Sequence, residues 1–145
     1  MNDLSQQKSA VLGLRIVYPL WAVIGMFNLL YIPSTLIDKS NPVLTAENII
    51  NNEMLFRIGI AGSLFTQLIS LATVWFLYRL FYNSFKEAFV MTALFNFLGM
   101  PMTMLSIANQ MAVLDVLDSP EQVISLLNQE TYGTVIASIF WGLWL

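Results

Sequence analysis

Two arginines, Arg57 and Arg79, bracket an uncharged run from Ile58 to Tyr78. As an α-helix, a run of this length reaches roughly 31 Å, about the thickness of a bilayer's hydrocarbon core. It predicts a membrane-spanning helix with a guanidinium at each interface. The rest of the chain fits lipid as its main solvent: 57% of residues are hydrophobic and only 10% charged, against about a quarter charged in a soluble domain. The expected fold class is all-α, a polytopic transmembrane helical bundle forming a single domain over residues 1–145.

Further uncharged runs lie on either side. The first expected span covers about 14–37, opening at Arg15 after a polar leader, Met1 to Leu12, that carries Lys8. A cleaved signal peptide is the competing reading, because basic residues precede an apolar core. Signal cores are roughly 7–15 residues and end at small residues, whereas this run is longer and has no A-x-A site. Pro33 is expected to loosen the last turn. The second span covers about 57–79 and the third about 88–114, with Gly99 and Pro101 near the middle of the third. The last run, 131–145, reaches only roughly 21 Å from Tyr132, so a truncated fourth span is expected.

The loops between these runs predict two outer amphipathic helices, at about 45–55 and 120–129. In the first, Thr45 reads as the N-cap with Glu47 in the first turn. In the second, Ser119 reads as the cap, Pro120 as the first helical residue and Gln122 as the partner in a capping box. Lys8, Arg15, Arg79 and Lys86 fall on one side, and Lys39 and Arg57 on the other with most of the acids. The positive-inside rule then expects a multi-pass protein of the cell membrane with a cytoplasmic N-terminus. Trp21, Trp75, Trp141 and Trp144 are expected near the interfaces, Trp21 somewhat deep for that.

Thr45 to Asn51 and Ser119 to Ser125 match in residue type at an offset of 74, and Gly59 then aligns with Gly133. A parallel internal repeat would produce this; so would two unrelated outer helices that each need a cap, an acid and an apolar face. Similar packing of the two halves would favour duplication.

LFRIGIAGSLFTQL, LYRLF, YIPSTLI, the Pro101 to Gln110 stretch and IASIFWGLWL, in this order and spacing, resemble the bacterial membrane proteins grouped as domain-of-unknown-function family 4386. The similarity runs from about Gly13 to the last residue. The resemblance implies a polytopic membrane fold with further hydrophobic helices after FWGLWL. It implies no activity.

Cysteine and histidine are absent, which removes disulfides, thiol chemistry and imidazole ligands or bases. With no glycine-rich phosphate loop and no paired carboxylates, no enzyme activity, catalytic residue or cofactor is expected. Net charge is −3 without a basic cluster, so no nucleic-acid partner is expected. Asp115, Asp118 and Glu121 form either a weak divalent-cation site or a solvated acidic loop, and no metal site is assigned.

Polar groups within the spans are the remaining pointers. Asn28, Gln67, Asn96, Asn109 and Gln110 form the candidate intramembrane polar cluster, with Thr66, Ser70, Thr103 and Ser106 nearby in sequence. Each bonds a neighbouring helix, or several line one path. Arg15, Arg57 and Arg79 are expected as interfacial anchors, Arg57 paired with Glu53 or holding a lipid headgroup. The primary expectation is a structural or accessory protein whose partners are the bilayer and a membrane protein or second copy. The alternative is a small-solute transporter or channel-like protein with an amide-lined path. Close-packed spans favour the first, and a continuous polar cavity the second.

Overall fold

A computed structural model describes residues 2–81 and 85–142, and all their regular structure is helical. Helix α1 (Asn2–Met26) passes into a π-helical turn (Phe27–Tyr31) and then α2 (Ile32–Leu36), so the first run is one rod. Proline lacks an N–H and crowds the carbonyl four residues back. Just before Pro33, the N–H of Ile32 reaches back to Phe27, five residues away. The expected loosening therefore appears one turn earlier, as a widened turn that carries Asn28. The rod ends where Ile37 turns extended.

Helix α3 (Pro42–Asn51) begins one turn before the expected cap. The Asn41 side chain accepts the Leu44 N–H at 3.1 Å, and Pro42 takes the first helical position. Thr45 is buried instead. Its hydroxyl donates to the Asp38 carbonyl at 2.8 Å and accepts the Asp38 N–H at 2.9 Å, tying α3 to the loop. Asp38 closes that loop through Oδ1, which accepts from the Ser40 hydroxyl at 2.6 Å and the Ser40 N–H at 2.9 Å. The Ser40 bonds hold the Asp38 carboxyl below its ordinary pKa. Glu47 consequently falls outside the first turn.

A single non-helical residue, Asn52, separates α3 from α4 (Glu53–Phe81). Helix α5 (Lys86–Val113) continues through Pro101; residues 82–84 of the FYNSFKE connection lie outside the described residues. Helix α6 (Pro120–Gly142) is one helix, where the sequence suggested an outer helix at 120–129 and a separate run from 131. The acidic stretch ending at Glu130 suggested a loop, but polarity does not break a helix whose backbone bonds are intact. Ser119 starts α6 through its carbonyl, which accepts the N–H groups of Gln122 and Val123 at 2.9 and 3.1 Å. The expected cap by the Ser119 hydroxyl does not form among the described residues.

Four long helices among the described residues pack in the order α1, α4, α5, α6, each against the next, with the backbones of α1 and α6 apart. They form an open arc, with α3 lying across α2, α4 and α6 at one end. The buried apolar core sits at that end, around Ile32, Leu36, Ile49, Phe56, Ile107, Val113 and Val123. At the other end Gly13 lies against the Phe76 ring, and Tyr78 meets Phe89 edge-on at 5.4 Å. Lys8, Arg15, Arg79 and Lys86 belong to that end.

Along the arc, large apolar side chains point outward. Leu30 is 65% exposed, Leu68 61% and Leu105 60%. Three helices among the described residues are long and apolar enough to cross a membrane: Gln7–Leu36, Glu53–Phe81 and Lys86–Val113. Such faces are the outer surface of a protein in lipid.

The 74-residue offset reappears in the packing. Gly59 lies against Ile32, and Gly133 against Ser106, so both partners of the pair are shifted equally. Ile49 and Val123, also 74 apart, are both fully buried. These matches favour duplication. The halves differ in that Asn52 breaks the first while α6 runs through.

Candidate functional site

The inside of the arc holds a cleft of about 440 Å³ to which α1, the π turn, α4, α5 and α6 all contribute. It has room for roughly 15 waters at about 30 Å³ each. Of the five candidate amides, Asn28, Gln67 and Gln110 line it. Asn28 comes from the widened turn, Gln67 from the middle of α4, and Gln110 from the last turn of α5.

Gln67 is only 4% exposed, and its amide has no hydrogen-bond partner among the described residues. Asn28 donates through Nδ2 to the Ser63 hydroxyl at 3.3 Å, while its buried Oδ1 has no partner. Gly62 makes room for this amide, since a Cβ there would lie 2.9 Å from Nδ2. Buried amides almost always find partners, and leaving one unpaired costs about 1–3 kcal/mol. Gln67, which lines this space without a partner, marks it as wet or as a ligand site.

At the α3 end, Glu130 closes the cleft. Its Oε1 accepts from Gln110 Nε2 at 3.2 Å and from the Thr134 hydroxyl at 3.2 Å. The Thr131 hydroxyl gives its hydrogen to the Leu127 carbonyl at 2.9 Å and lies 3.4 Å from Oε2. Helix α6 delivers Glu130 and Thr134 on one face, one turn apart, as the i, i+4 spacing requires. Placing Glu130 between the outer helix at 120–129 and the run from 131 hid this carboxylate from the sequence argument. Its position one turn ahead of Thr134, within a continuous helix, was the signal available.

The other two amides are elsewhere. Asn96 is 1% exposed and donates to the Ser70 hydroxyl at 2.8 Å, binding α5 to α4. Ser70 itself reaches the cleft. Asn109 is half-buried outside it. Among the anchors, Arg15 and Arg57 are exposed and Arg79 is half-buried. Arg57 Nε donates to Glu53 Oε1 at 2.7 Å, a surface i, i+4 pair worth about 0.3–0.5 kcal/mol. The Trp75 ring stacks on Tyr78 at 5.8 Å, and Trp21 lines the cleft. The Trp141 side chain and Trp144 lie outside the described residues. Asp115, Asp118 and Glu121 do not gather as a metal-binding group among the described residues.

A family model described as "Domain of unknown function (DUF4386)" matches residues 16–145. Comparison with curated proteins and with solved structures finds no match.

Proposed function

We propose that this chain, which belongs to the DUF4386 family, is a small-solute transporter of the cell membrane that holds its solute among the amides of the cleft. The carrying observation is Gln67, buried in a long apolar helix, without an internal partner, and facing about 440 Å³ of open space. A leucine there would avoid the cost of an unpaired amide in a lipid-embedded protein. A polar occupant explains the glutamine.

The accessory reading, with activity in helix–helix and partner contacts, asks for close-packed spans. The amides and hydroxyls lining the cleft support transport instead. In this reading the N-terminus is cytoplasmic, supported by the four basic side chains at that end of the bundle against two at the other. No bond-making step is needed, in keeping with a chain that lacks histidine and cysteine.

The test is solute entry into proteoliposomes carrying the full chain, over a panel of small amines, amides, acids and polyols. Entry should exceed that of empty liposomes for at least one class. It should fall at least tenfold in Gln67→Leu and stay unchanged in Asn109→Leu, which alters an amide outside the cleft. Equal entry with and without protein across the panel would rule the reading out.

A further inference from the structure

We infer that the solute is a small primary ammonium compound, its N–H groups taken by the hydroxyl oxygens of Thr66, Thr103, Ser106 and Thr134 and its charge balanced by Glu130. This rests on the transporter reading and adds the substrate class.

The lining hydroxyls carry the argument. A serine or threonine hydroxyl has one hydrogen to donate. Thr66 gives its hydrogen to the Gly62 carbonyl at 2.9 Å, Thr103 to Gly99 at 3.1 Å and Ser106 to Met102 at 3.1 Å, each one turn back in its own helix. Thr134 gives its own to Glu130. These four oxygens therefore offer the cleft lone pairs and no hydrogens, whereas Ser63 and Ser70 accept from Asn28 and Asn96 and keep their hydrogens. Gln110 already spends an N–H on Glu130. Gln67 brings a carbonyl with two lone pairs and two N–H groups, adding acceptors and donors equally.

Charge points the same way. Glu130 is the one ionisable side chain among the lining residues. Lys39, on the loop before α3, does not line the cleft. An anionic solute would meet acceptors and an acid. A neutral amide would satisfy part of the lining without countering the charge. A quaternary ammonium would counter the charge and supply no N–H. A primary ammonium supplies three donors and one positive charge.

Calorimetric titration of the full chain in nanodiscs with four probes of similar size tests this: n-propylammonium, tetramethylammonium, propionamide and propionate. Propylammonium is expected to bind at least tenfold more tightly than the other three. Glu130→Gln should weaken it at least tenfold while leaving propionamide within twofold. The ranking of probes on the unaltered chain stands as a test even if that variant does not fold. Propionamide or propionate binding as tightly as propylammonium would overturn the ammonium assignment and leave the transporter reading intact. Equal binding of tetramethylammonium would overturn the need for N–H donors, and unchanged propylammonium binding in Glu130→Gln the role of the carboxylate. Failure of all four probes to bind would remove both the assignment and the cleft as a solute site.

Discussion

Asn28 and Asn96 each leave a buried amide oxygen without a partner, yet their surroundings give them different work. Asn96 is walled in between α4 and α5 and its one bond is to Ser70. Asn96→Leu removes that bond and an unpaired acceptor together, so stability measured by denaturant titration in bicelles should change by no more than about 1 kcal/mol. Asn28 faces the cleft. Gly62→Ala would place a Cβ 2.9 Å from its Nδ2 and 3.0 Å from its Oδ1, pushing the amide off Ser63. Solute entry should then drop severalfold with the fold retained, and entry at the original rate would show that Asn28 does not shape the site. At this scale the sequence revealed those amides that stand out against an apolar run, as Asn28, Gln67 and Gln110 do. Which of five faced one space was not legible, because a helix's rotation is set by its neighbours. Glu130 was missed because charge among other polar residues carries no contrast.

The helices were legible from run length, and their ends much less so. Asn41 outcompetes Thr45 as cap because Pro42 favours the first helical position and leaves the preceding side chain to serve the N–H groups. Asn41→Ala should cost about 1 kcal/mol, read as earlier unfolding of α3 by hydrogen exchange; unchanged exchange there would contradict the cap. Helix packing offers a second check. A Cβ on Gly133 would run into the Ser106 hydroxyl, which is committed to the Met102 carbonyl at 3.1 Å. Gly133→Ala should destabilise the α5–α6 pair by about 1–3 kcal/mol, outweighing the gain in helix propensity of about 1 kcal/mol. A more stable variant would mean that the two helices are not in close contact at this turn.

For the whole molecule, the account depends on an inversion of the usual arrangement. The outward surface is apolar and the concave interior of the arc carries amides, hydroxyls and a carboxylate. The sequence announced the first half of this through three uncharged runs. It could not announce the second, since the concave interior depends on which helices pack together, α1 against α4 and α5 against α6. Because the chain contains no cysteine, single cysteines report cleanly on local solvent. The decisive comparison is between adjacent α4 positions, Gln67 at 4% exposure and Leu68 at 61%, each changed to cysteine in membranes and challenged with a small, cationic, membrane-impermeant methanethiosulfonate reagent. Gln67→Cys should react and Leu68→Cys should stay protected. The opposite order, with position 68 reacting and position 67 shielded, would mean that water covers the outside and the interior is dry.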